Sequence, residues 1–159
     1  MSYEIADEPT PSGELGNLVF QPNAPLLAAM MCGAWLAWPW FIVNAIAMGS
    51  PTKTREIKLA LLAFGGSIVL GLLVFGLVDA GVIESALVLR IALLGITCWK
   101  LGMAYWIETV QSRTFHVYRY YGGPVQNAGY VLFAGMQLSG WVIDASANPL
   151  WRIIVSGLL

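Results

Sequence analysis

Apolar residues fall into four long blocks, separated by short polar breaks. A helix needs about 20 apolar residues to cross the hydrocarbon of a membrane, at about 1.5 Å per residue. The blocks at 24–48, 57–78, 85–107 and 126–143 meet that length. Pro25 suits the first turn of the first block, and Gly49, Ser50 and Pro51 end it. A fifth apolar stretch, 149–159, is too short to span and reads as an interfacial or packed helix. Asn148 supplies its cap and Pro149 its first turn. The pattern leaves open whether the fourth helix runs on through Asp144. Before the first block, residues 1–23 carry Glu4, Asp7, Glu8 and Glu14 and no Lys or Arg, with Pro9, Pro11, Gly13 and Gly16 as helix breakers. This opening reads as an acidic extended tail and not as a signal peptide, which would begin with positive charge. The expected fold is therefore all-α and polytopic. It has an acidic tail (1–23), a four-helix transmembrane domain (24–143) and a short C-terminal helix (144–159).

Composition supports lipid as the surroundings. Of 159 residues, 58% are hydrophobic and 11% charged, against roughly 45–50% and about 25% in ordinary soluble domains. Eight Lys/Arg and nine Asp/Glu cannot coat a globule of this size. The net charge of −1 and the lack of a basic run exclude a nucleic-acid partner. A single histidine, His116, cannot supply a bis-histidine haem. Cys32 and Cys98 lie in separate apolar blocks without a CxxC pair, so they read as small hydrophobes rather than zinc ligands or a dithiol relay. No metal or cofactor is expected.

Charge in the breaks sets the orientation, since cytoplasmic loops are rich in Lys and Arg. The break after the first block holds Lys53, Arg55 and Lys58, and the one after the third holds Arg113 and Arg119. The break after the second holds Asp79 and Glu84 and no base. The expectation is a multi-pass protein of the inner (cytoplasmic) membrane, with loops 49–58 and 108–124 inside and both termini outside. Helices two and three do not echo one and four, so an inverted-repeat transporter is not supported.

Several positions inside the blocks carry candidate chemistry. Arg90 and Lys100 are costly in a membrane helix, at about 2.5–3.5 kcal/mol each near its centre. Arg90 lies roughly 9 Å from its helix end and can snorkel toward Asp79, Glu84 or Asp144. Lys100 lies roughly 12 Å from the other end and calls for a buried partner, with Gln137 or a helix-terminal carbonyl in reach. The pair reads either as inter-helix glue or as an anion site. Gly65, Gly66, Gly71 and Gly76 in helix two, and Gly135 and Gly140 in helix four, read as close-packing positions within the bundle or between copies. Trp35, Trp38 and Trp40 flank Pro39, which should kink the first helix. They pack at that kink or line a pocket for a hydrophobic ligand.

The stretch 111–124 interleaves bases with aromatic rings: Arg113, His116, Tyr118, Arg119, Tyr120 and Tyr121, closed by Gly122, Gly123 and Pro124. Such a surface anchors at the interface, meets anionic headgroups or docks a partner. His116 has only Glu108 as a nearby carboxylate, and no Ser/His/Asp order is legible. The opening Phe20-Gln21-Pro22-Asn23, the polar-basic hairpin after the first helix and the run from Gln111 through Phe115-His116 to Gly122-Gly123 resemble a group of small bacterial four-helix inner-membrane proteins without an established activity. The resemblance covers about residues 18–140. It implies the fold and a bacterial inner membrane and transfers no catalytic residue. The function expected is a non-enzymatic membrane subunit that binds lipids and assembles with itself or in a larger membrane complex. Two alternatives stand beside it: an oligomeric pore or carrier favouring anions, and a membrane enzyme acting on a lipid or quinone.

Overall fold

The computed structural model describes residues 13–157. Among these the chain is all-helical. Six α-helices follow a short 3-10 turn at Gly13–Leu18, and the extended backbone pairs only in an isolated bridge between Phe20 and Gln126.

The first apolar block is not one crossing. It forms two helices, α1 (Asn23–Met31) and α2 (Ala34–Ala47), joined at Cys32 and Gly33. Gly33 has φ 105°, a conformation that side-chain-bearing residues avoid, and its amide closes α1 on the Ala28 carbonyl at 2.8 Å. The chain then doubles back. The Phe20 amide, which precedes α1, donates to Asn44 Oδ1 near the end of α2 at 2.8 Å. The Phe20 ring meets Trp40 edge-on at 5.2 Å. The block is therefore a re-entrant hairpin, entering and leaving the bundle at one end. The break falls at Gly33 and not at Pro39, through which α2 continues. Nine and fourteen residues give arms of about 13 and 21 Å, short of a hydrocarbon thickness of about 30 Å.

The next two blocks form the long helices α3 (Lys53–Asp79) and α4 (Ala86–Tyr120). Among the described residues these are the two helices long and apolar enough to cross a membrane. Ser85 caps α4 by accepting from the Leu87 amide at 3.3 Å. Helix α4 runs on through the stretch expected to be a loop after residue 107, because no glycine or proline interrupts it between Gly102 and Gly122. Its buried positions recur every three or four residues: Lys100, Met103, Ala104, Ile107, Gln111, Thr114, Phe115 and Tyr118.

Helix α5 (Gly129–Asp144) has 16 residues, and the chain breaks at Ala145 before α6 (Pro149–Val155). Of the four expected crossings, two are the long helices α3 and α4, one is the hairpin and one is the 16-residue α5; α6 is the short C-terminal helix expected after them. The core lies where α1, α2, α3 and α4 meet. It pairs small residues (Ala24, Ala28, Ala37, Ala60, Ala63, Ala104) with large ones (Trp38, Trp40, Phe41, Ile107). The outward faces of α3 and α4 stay bare and apolar, with Leu61, Leu62, Val69, Leu72, Leu87, Ile91 and Leu94 all exposed.

Contacts between ends define two poles. Val19 accepts from the Gln126 amide at 2.8 Å, Tyr118 donates to the Gly16 carbonyl at 3.3 Å, and Ser50 lies 3.4 Å from Thr114. Residues 16–20, 49–52 and 118–126 therefore share one pole. The turns at 80–85 and 145–148 lie at the other. This corrects the expectation that the N-terminal segment and the basic loops lie at opposite ends. Tail residues 1–12, with three of its four acids, lie outside the described residues.

Candidate functional site

The first polar centre is at mid-bundle. Helix α6 turns back from α5 at the far pole, tied by Trp151 Nε1 on the Val142 carbonyl (2.8 Å) and by an Arg152–Asp144 ion pair (3.2 Å). It descends past Gly71, against which Leu150 packs, and ends at the hairpin tip. A Cβ on Gly33 would run into the Val155 carbonyl, and one on Gly157 would meet the Met30 carbonyl at 2.8 Å. Lys100 fixes this junction. Its ammonium donates to the carbonyls of Ile153 (2.9 Å) and Ser156 (2.7 Å), the last turn of α6. These carbonyls lack partners within the helix and carry the negative end of its dipole, so the lysine acts as a C-terminal cap. Ser139 and Trp35 both donate to the Cys32 carbonyl, at 3.2 and 2.7 Å.

The second centre is buried at the shared pole. Glu56 is 1% exposed. Its Oε1 accepts from Ser50 Oγ and Thr52 Oγ1, both at 2.6 Å, while Oε2 is buried without a partner. Ser50 Oγ lies 3.0 Å from Thr52 Oγ1 and 3.4 Å from Thr114 Oγ1. One turn before Thr114, Gln111 donates to the Phe41 carbonyl at 2.7 Å and accepts from Asn44 at 3.2 Å. Hydroxyls, amides and one carboxylate thus join the hairpin to α3 and α4. Among the described residues, no three of His, Cys, Asp and Glu converge as a metal cluster.

The third feature is a collar on the surface of the same pole. Lys53, Arg55 and Lys58 open α3, and Arg113 and Arg119 close α4; all five are exposed, as is His116. Tyr120 and Tyr121 are exposed beside them, edge-to-face at 5.7 Å.

The expected site residues distribute unevenly over these features. Of the six inner-loop candidates, Arg113, His116, Arg119, Tyr120 and Tyr121 lie on the surface, but on helix or its cap and not in a loop. Tyr118 is buried, its hydroxyl spent on the Gly16 and Pro124 carbonyls, so it leaves the docking set. Lys100 takes helix-terminal carbonyls, and Gln137 is exposed and away from it. Arg90 is exposed, and Asp144 pairs with Arg152 in its place. Glu108 accepts from Ser112 (2.6 Å) and not from His116.

Among the glycines, Gly66, Gly71 and Gly135 receive Trp99, Leu150 and Leu36 with Cys32, whereas Gly65, Gly76 and Gly140 face open space. The three tryptophans do not form one pocket. Trp35 binds the hairpin turn, Trp38 stacks on Phe41 at 6.3 Å, and Trp40 meets Phe20. The Trp38 and Trp40 N–H groups are buried without partners. Glu56, Ser50, Thr114, Asn44 and Gln111 were not among the expected site residues. Glu56 sits in a charged run that reads as solvated, but it shares a helical face with Leu59, Ala60, Ala63 and Ser67, all buried. That period was the available signal.

No protein-family model, curated protein or solved structure matches the chain.

Proposed function

We propose that the chain is a non-enzymatic integral protein of a bacterial inner membrane. In this reading it assembles laterally, with itself or in a larger complex, and holds anionic headgroups at its basic collar. The observation that carries the reading is the pair of long helices whose apolar outward faces no other described residue covers. Lipid accepts such faces at no cost, and water does not. Open glycines on these faces, Gly65 and Gly76 on α3 and Gly95 and Gly102 on α4, leave flat patches where a second helix can approach closely. The collar of five exposed cations stands where the headgroups of an anionic leaflet would lie.

Native mass spectrometry on protein released gently from its own membrane tests this. A mass at a multiple of 17.2 kDa, or a fixed ratio with another membrane protein, supports assembly. A lone monomer stripped of anionic lipid contradicts both parts.

One observation favours a pore or small-solute carrier as a second reading: a hairpin tip and a half-helix end meet at mid-bundle, as broken helices do in transporters. Lys100 is nearly enclosed there, at 6% exposure, with its charge held by α6. In this reading it is a gatepost and not an anion ligand. Lys100→Met in a reconstituted bilayer should then raise leak and leave anion preference unchanged; a loss of anion preference would restore the lysine to the path.

A further inference from the structure

A carboxylate that is charged and dry requires a compensating positive partner. Lys53, Arg55 and Lys58 flank Glu56 in sequence, yet all three are exposed while Glu56 is turned inward. Among the described residues no ion pair reaches it. Its Oε1 is occupied by two hydroxyl donors, and its Oε2 is buried and unpartnered. After donating to Glu56, Thr52 Oγ1 keeps its lone pairs, while Ser50 Oγ also accepts from the Thr52 amide at 3.2 Å and keeps one.

We propose that Glu56, Ser50, Thr52 and Thr114 form a binding site for a small monovalent cation of the size and hardness of Na+. The donor atoms are all oxygen, which suits hard ions and not thiolate- or imidazole-seeking metals. The only formal charge is a single carboxylate, so a monovalent ion neutralises the site and a divalent one would leave it positive. Spacing sets the size. A six-coordinate ion with oxygens at about 2.4 Å holds adjacent ligands about 3.4 Å apart. Ser50 and Thr52 oxygens are 3.0 Å apart, and Ser50 and Thr114 oxygens 3.4 Å; the 2.6 Å hydrogen bonds from Ser50 and Thr52 to Glu56 Oε1 would open by about 0.8 Å around Na+ and by more around a larger ion such as K+. Because the site joins the C-terminal end of the hairpin to α3 and α4, its occupation would tighten the contact of the hairpin with the bundle. It lies beneath the collar and shares no side chain with it or with the apolar faces, so it stands or falls independently of lateral assembly.

The test is thermal unfolding of the full chain in detergent, followed by tryptophan fluorescence. NaCl, KCl or choline chloride is titrated at constant total chloride. The expected result is a saturable rise with Na+ of about 3–6 °C at ten times its dissociation constant, with K+ and choline giving little. Glu56→Gln should abolish the Na+ response. Thr114→Val, which removes one ligand and keeps the shape, should move its midpoint upward about tenfold. Coincident curves in the three salts overturn the proposal, as does a Na+ response retained in Glu56→Gln. Should Glu56→Gln fail to fold, an unchanged Na+ midpoint in Thr114→Val overturns it equally.

Discussion

Lys100 is the residue whose chemistry most directly shapes this molecule. Its cost in an apolar helix is offset by two carbonyl acceptors that would otherwise be unsatisfied. Removing the ammonium orphans both, so Lys100→Met should destabilise by about 1–3 kcal/mol per stranded carbonyl. Thermal unfolding would register the loss, and protection of the α6 amides against hydrogen exchange should fall first. Unchanged exchange in α6 would remove the capping role. Two neighbouring glycines make a paired comparison at the same scale. A Cβ on Gly66 would lie 2.6 Å from the Trp99 ring, and one on Gly65 would meet nothing. Gly66→Ala should therefore cost about 1–3 kcal/mol through overpacking, whereas Gly65→Ala should be neutral or stabilising by up to about 1 kcal/mol through helix propensity. Equal effects would mean that the two faces are not as distinct as the packing indicates. The burial of Lys100 was legible in the sequence, since it lies on the three-four period of Met103, Ala104, Ile107 and Gln111. Its partner was legible only as a class, a helix-terminal carbonyl, because α6 reaches it from more than fifty residues away.

At the scale of elements, hydrophobic runs located α3, α4 and α5 to within a few residues at most ends, because their interiors are unbroken. They misjudged the first block. Twenty-five apolar residues have the length of one crossing, and hydropathy does not register direction. The reversal rests on one residue, Gly33, whose positive φ and lack of a Cβ admit both the tight turn and the end of α6. Helix α4 was cut short for the opposite reason. Polar and aromatic residues after Ile107 read as loop, although nothing there stops a helix and the buried seam continues to Tyr118. The hairpin makes a sharp prediction. With Cys32 and Cys98 replaced by Ser, single cysteines at Asn23 and at Thr52 should both label from the same face with a membrane-impermeant maleimide. A cysteine at Val82 should label from the other. Labelling of Asn23 and Thr52 from opposite faces would restore a single crossing and sink the hairpin.

For the whole molecule, the two poles differ in charge in a way that follows from the hairpin. Because the hairpin returns the chain to the pole it left, the N-terminal segment and the two basic stretches come together. The far pole keeps Asp79, Glu84 and Asp144 with Arg90 and Arg152. By the positive-inside rule the collar would face the cytoplasm, and residues 16–20 would then do so as well. Charge along the sequence points to the same side for the loops but to the opposite side for the tail, because an apolar block of 25 residues before Lys53 has the length of one crossing, whereas in the structure it is a hairpin. If the collar holds headgroups, its contribution is electrostatic, at about 1 kcal/mol per cation near an anionic surface and screened by salt. Arg113→Gln with Arg119→Gln should then weaken retention of anionic lipid by roughly thirty-fold at low salt, from about 2 kcal/mol lost. The fold should be unaffected, because both side chains are exposed. The measurement is the count of anionic lipids bound per chain by native mass spectrometry, across a salt series. A count that ignores both the substitutions and the salt would assign retention to the bare apolar faces of α3 and α4. The collar would then act in orientation alone, as a charge that sets which pole stays inside.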